Sequence, residues 1–204
     1  MMQTTSTVPN ALPLSTARLK GRARGALICG IFGTAWMFDA VFFGEIVTPA
    51  SLTLIVFFTA VFVGWPLARI RSLRHLTYSP ADRQSWTAVS TPFWTDFAIE
   101  WLACAGAAIW LAHIRRYDLI PQWTVAIIGV HFLPLGKIFR MPIYYATGAV
   151  MVLGVLASLV FPVGNVRNIV ACGAMGLSLW ATAAVILCQD DLSFRQGKDI
   201  PLVS

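Results

Sequence analysis

Apolar residues run along this chain in six blocks, near 25–44, 50–69, 94–113, 120–137, 142–161 and 168–188, separated by short polar or basic segments. A block of about 20 apolar residues, rising about 1.5 Å per residue, crosses a hydrocarbon core of about 30 Å as a single α-helix. The pattern predicts an all-α, polytopic membrane helix bundle with six transmembrane helices spanning residues 25–188. Residues 1–24 read as a basic N-terminal tail and 189–204 as a C-terminal tail, and no segment is long and polar enough to form a second, soluble domain.

Composition strengthens this reading. Hydrophobic residues make up 57% of the chain and charged residues 12%, with a mean hydropathy of +0.71. A soluble domain carries about 25% charged residues. The opening "MMQTTSTVPNALPLSTARLKGRARG" is Ser/Thr-rich and acid-free, with no apolar stretch ahead of its basic cluster. It therefore reads as a retained tail rather than a cleaved signal; an organelle transit peptide is the alternative its composition also fits.

The net charge of +6 has a topological meaning. Arg18, Lys20, Arg22, Arg24, Arg69, Arg71, Arg74, Arg83, Lys137, Arg140, Arg195 and Lys198 fall on one side of the six spans, which is 12 of the 15 basic residues. Arg115, Arg116 and Arg167 fall on the other. The positive-inside rule then places both termini in the cytoplasm. The basic face is expected to lie against anionic headgroups, at about 1 kcal/mol per residue near the surface. No nucleic acid is needed to explain it. A second copy of the chain or another membrane protein remains open as a partner.

Aromatic positions follow the same threading. Trp65, Trp94, Trp110, Trp123, Tyr144 and Tyr145 fall near span ends, as an interfacial belt would. Trp36, Trp101 and Trp180 fall inside spans, where an indole N–H needs a partner, so they are expected to face other helices. "SPADRQSW" at 79–86 reads as an N-cap, a first-turn proline and a first-turn acid, opening a short surface helix with Trp86 and Val89 dipping into the membrane. Small residues four apart, such as Ala26/Gly30/Thr34, Cys29/Gly33, Gly154/Ser158, Cys172/Gly176 and Ala174/Ser178, suit close helix packing.

Chemistry is sparse. Cys29, Cys104, Cys172 and Cys188 lie in apolar spans without C-x-x-C spacing and read as packing residues. Metalloprotease and nucleophile-elbow patterns are absent, and Gly129 to Lys137 has the wrong glycine spacing for a phosphate loop, with Ile138 where Ser or Thr is required. No catalytic residue, cofactor or metal ligand is assigned, and the chain reads as a non-enzyme more readily than as an intramembrane enzyme.

What remains are ionisable groups within spans, where a charge costs about 2.5–3.5 kcal/mol at the bilayer centre on the insertion scale. Asp39 lies in span one. Asp96 and Glu100 share one face of span three, Asp96 near the interface and Glu100 deeper, with Ala103, Cys104 and Ala107 continuing that face. His131, six residues before Lys137, lies about 9 Å from the cytoplasmic edge on span four, at the depth expected of Glu100. Pro134 lacks an N–H and its ring clashes with the carbonyl of residue 130, so it is expected to kink or end span four. Lys137 and Arg140 form a cytoplasmic basic turn, and Pro142 opens the next span.

The run "GVHFLPLGKIFRMPIYY" resembles a group of bacterial multi-pass membrane proteins of unknown function that carry G-x-H-[FY]-L-P at the start of a late helical hairpin. Gly129, His131, Phe132, Leu133 and Pro134 carry the match, over residues 125 to 155. The resemblance implies a multi-pass protein of a bacterial plasma membrane and supplies no activity. Three functions are open: a small proton- or ion-linked transporter or transporter subunit using Asp39, Glu100 and His131; a non-catalytic assembly or regulatory membrane protein; and an intramembrane enzyme.

The threading is tested by single cysteines replacing Asp82 or Asn165 in a background without the native four. An impermeant thiol reagent added outside intact cells should label only the Asn165→Cys chain, and labelling of both would refute it.

Overall fold

A computed structural model describes the backbone of residues 16–198 as six long α-helices. These are α1 (Thr16–Phe43), α2 (Pro49–Ser72), α3 (Pro80–His113), α4 (Ile120–Phe139), α5 (Pro142–Ser158) and α6 (Asn165–Lys198). A single 3₁₀ turn, Tyr117–Leu119, precedes α4, and there is no strand among the described residues. Five of the helices are long and apolar enough to cross a membrane. The sixth, α5, has 17 residues, about 26 Å of helix. The chain is an all-α helical membrane bundle.

Helix boundaries correct several expectations. α1 begins at Thr16, so the second part of the expected tail is helical; residues 1–15 and 199–204 lie outside the described residues. α6 likewise runs on to Lys198, through the expected C-terminal tail. The surface helix expected at 79–86 is not separate, because α3 continues unbroken for 34 residues. Its start is as the sequence indicates: Ser79 accepts from the Asp82 N–H, the Asp82 carboxylate accepts from the Ser79 N–H at 3.0 Å, and Pro80 occupies the first turn. Nothing after that stops it, since Pro92 sits inside the helix. α5 ends at Ser158, three residues earlier than its apolar block.

The helices pack in series, α2 on α1, α1 on α6, α6 on α5, α5 on α4 and α4 on α3. The apolar core lies among α1, α4, α5 and α6, with Met151, Met175, Ile186 and Leu187 fully enclosed. Glycines set the crossings. A Cβ on Gly33 would stand 3.1 Å from the Gly176 carbonyl oxygen, and one on Gly176 would stand 3.0 Å from that of Gly33, so α1 and α6 meet backbone to backbone. Added Cβ atoms on Gly30 and Gly148 would overlap the carbonyl oxygens of Phe62 and Gly129, at the α1–α2 and α4–α5 crossings. Such approach substitutes for the hydrophobic drive that helices lack in lipid.

Charged turns close the ends. Glu45, Arg115 and Arg140 adopt φ of 54°, 58° and 53°, the left-handed conformation that ends a helix. In each case the next N–H reaches back five residues, as in Met141 N–H to Gly136 O at 3.1 Å. At the end where α1 begins and α6 finishes, Lys20 donates to the Leu76 carbonyl at 2.6 Å and stands over the Tyr78 ring, and Asp82 accepts from the Ala17 N–H at 3.3 Å. Asp82 is buried in this cap, so exposed Gln84 is the better cysteine site for labelling that end. At the opposite end Gln122 donates to Asn168 at 2.9 Å, tying α4 to α6.

Aromatic placement is mixed. Trp65, Trp94, Trp110, Trp123 and Tyr145 are exposed, whereas Tyr144 is buried against the core instead of sitting in a belt. Trp180 is buried between α1, α2 and α6, stacked on Phe62, and Trp36 packs against the core. Trp101 does the opposite of what its mid-span position suggests: it is 58% exposed, because α3 lies at the edge of the bundle. All four cysteines are free thiols.

Gly148→Ala should therefore force α4 from α5 and destabilise the protein by about 1–3 kcal/mol. Gly64→Ala, where a Cβ meets nothing within 4 Å, is the control and should leave the melting temperature unchanged. Equal melting temperatures for the two variants would disprove the backbone contact.

Candidate functional site

His131 stands on the α3-facing side of α4, eight residues before that helix ends, and both of its ring nitrogens meet a carboxylate from α3. Nδ1 is 3.0 Å from Asp96 Oδ2 and Nε2 is 3.1 Å from Glu100 Oε2. The two acids can flank one ring because they are four residues apart on a helix, about one turn. The three side chains are 8%, 17% and 14% exposed, for His131, Asp96 and Glu100 in that order. The Nδ1 contact is short but poorly aligned, so Nδ1 and Asp96 Oδ2 are both buried without a hydrogen-bond partner.

With two protons among the three groups, as imidazolium between two carboxylates or as neutral imidazole with one carboxylate and one carboxylic acid, the cluster carries net charge −1, and one further proton makes it neutral. The charged groups that act on one another here are Asp96, Glu100 and His131, with the Cys104 thiol one turn beyond Glu100.

Aromatic rings stand between this cluster and the end where α3 begins. Phe93 meets Phe139 at 5.9 Å between centroids, Phe139 meets Tyr144 at 5.9 Å, and Tyr144 meets Phe132 at 5.7 Å. Toward the opposite end, Cys104 and Ala107 of α3 are small, and Leu111 is buried.

Of the residues singled out in the sequence, Glu100 and His131 are brought together, and Asp39 is not with them. Asp39 lies in the second half of α1 near Cys172 of α6, half-buried. Pro134 does not end its helix: α4 continues five residues past it to Phe139. One missing N–H removes one backbone bond, and the close α5 contacts at Gly129 and Gly136 hold the helix on both sides. Lys137 and Arg140 lie exposed at the α4–α5 turn. Asp96, taken in the sequence as interfacial, is the third member of the cluster, and its four-residue spacing from Glu100 was the signal. Among the described residues no three His, Cys, Asp or Glu side chains form a metal-holding group. In this cluster the ring separates the two carboxylates, so the donors do not converge on one point.

No family model, curated protein or solved structure matches this chain.

The contact is measurable by a double-mutant cycle. Glu100→Ala and His131→Ala should be non-additive in thermal stability, with a coupling of about 0.5–3 kcal/mol. Additive losses would place the two side chains apart.

Proposed function

We propose that this protein is a small proton-linked membrane transporter or transporter subunit, with Asp96, Glu100 and His131 as its proton-binding site. The observation that carries the reading is the second carboxylate. One acid is enough to tie an imidazole to a neighbouring helix, while a second adds like charge at membrane depth. A cluster that is −1 with two protons and neutral with three is suited to taking up and releasing a proton. The basic asymmetry of the loops supports a threading with both termini in the cytoplasm, and the motif resemblance supports a bacterial plasma membrane. Twelve basic residues on one face favour anionic headgroups as the lipid partner.

A second reading is that the cluster fastens helices in a non-catalytic assembly or regulatory protein. It is favoured by the surface: one depression is lined by Phe42, Glu45 and Asn168 at one end, another by Trp94, Ile99 and Leu102 on α3, and neither includes the cluster.

Liposomes holding the purified protein and an internal pH dye separate the two. Under the transport reading, an imposed pH gradient decays faster than in empty vesicles, and Glu100→Gln returns the decay to the empty-vesicle rate while the chain stays folded. Under the assembly reading the parent protein gives no added decay, and Glu100→Gln lowers thermal stability alone.

A further inference from the structure

We infer that the end of the bundle where α4 and α6 begin holds a binding site for a phosphate group, built from the Arg167 guanidinium and the first turn of α6. This site is separate from Asp96, Glu100 and His131 and does not depend on the transport reading. Arg167 is a buried charge without a matched acceptor. Its side chain is 9% exposed, yet among the described residues no donor of its guanidinium makes a hydrogen bond, and Nε is fully buried. The carboxylate beside it, Asp118, stands with Oδ2 3.9 Å from Nη1, beyond hydrogen-bond reach. That carboxylate is already engaged: Arg116 donates from Nε to Oδ1 at 3.0 Å and from Nη2 to Oδ2 at 3.2 Å. Arg116 and Asp118 neutralise each other in this forked pair, so the Arg167 charge is left over. A buried charged donor with no acceptor is costly, and an anion placed against it removes the cost.

α6 brings a second set of donors to the same end. Its ladder opens with Asn168 N–H to Gly164 O at 3.4 Å, so the N–H groups of Asn165, Val166 and Arg167 lie ahead of the first bond. Helix side chains lean toward the N-terminus, and the approach of Nη1 to Asp118, in the turn before α4, shows that Arg167 does so. Its fork and the first-turn N–H groups therefore serve one anion together. The place is open to a ligand: Asn165 and Asn168 wall one side of a surface depression of about 510 Å³, with Phe42, Val47 and exposed Glu45 across it.

Charge and geometry select the ligand. Arg116, Asp118 and Arg167 sum to one positive charge, which suits a group with one negative charge on several oxygens. A phosphate meets that description, either as the phosphodiester of a lipid headgroup or as the free ion. Trp110 and Trp123, both exposed and in edge contact at 6.3 Å, put this end at headgroup level.

Melting curves of the full chain, purified and delipidated in a neutral maltoside detergent, test this. Inorganic phosphate is titrated in one arm against potassium chloride at matched ionic strength, and dioctanoyl phosphatidylglycerol in the other against uncharged dioctanoylglycerol. A ligand bound by the folded chain raises the melting temperature saturably. We expect such a rise in at least one arm: with the lipid alone it identifies a headgroup, and with inorganic phosphate a site open to the free ion. Arg167→Gln should weaken binding at least about tenfold. Arg167→Lys, which keeps the charge and loses the fork, should weaken it less. Asp118→Asn, which removes the competing carboxylate and frees Arg116, should tighten it about tenfold, a gain that a misfolded chain would not show. Lys137→Gln, at the opposite end, should bind as the parent does. No saturable rise in either arm, an equal rise with the uncharged control, or parent-like binding by both Arg167→Gln and Asp118→Asn each overturns the inference.

Discussion

Gly33 and Gly176 bring the backbones of α1 and α6 together so closely that each glycine's missing Cβ would stand about 3 Å from the other's carbonyl oxygen. That contact is the constraint from which the arrangement follows. In lipid, apolar side chains gain nothing by turning inward, so helices associate where backbones can approach and dispersion contacts accumulate. Gly129 and Gly148 repeat the device between α4 and α5, and Gly154 against Ala174 joins α5 to α6. Four helices are thereby locked into one core, and the other two are left to find a place on it.

α2 and α3 take those places differently. α2 gains Gly30 against Phe62 and the stacking of Phe58 and Phe62 with Trp180. α3 has no comparable glycine crossing: a Cβ on Gly106 would meet nothing within 4 Å. It is tied by the Phe93–Phe139 and Trp110–Trp123 ring contacts with α4 and by two polar contacts, Asp82 to the Ala17 N–H at one end and Asp96 and Glu100 to His131 farther along. Between the two ties lies Pro92, which interrupts the backbone ladder. The helix without a glycine crossing is thus the one that carries the Asp96 and Glu100 carboxylates.

Much of this was legible in the sequence because membrane helices obey one-dimensional rules. Six apolar blocks gave six helices, and Ser79 with Pro80 and Asp82 marked a real cap. Matched depth along two antiparallel spans was enough to bring Glu100 to His131. Other features depended on which helix a face meets, information that hydropathy lacks. Trp101 looked like an interior residue but faces outward, because nothing in its own span reveals that α3 lies at the edge. Tyr144 looked interfacial but is buried, because α4, α5 and α1 converge there; a Cβ on Gly25 of α1 would touch its hydroxyl. Pro134 invited a kink or a helix end, yet α4 runs on to Phe139, with close glycine contacts to α5 on both sides of the proline.

Magnitudes bear on why a chain would keep two acids and a histidine between helices. Intramembrane hydrogen bonds between helices contribute about 0.6 kcal/mol on average, and about 1.7 at most. A charged residue at the centre of a span costs about 2.5–3.5 kcal/mol. Two such contacts at average strength, about 1.2 kcal/mol together, fall below the cost of one charge at the centre. The bond strength alone does not account for the cluster. On the proposed proton-linked reading that cost has a use, since the same energy that penalises the anion drives the uptake of a proton that neutralises it.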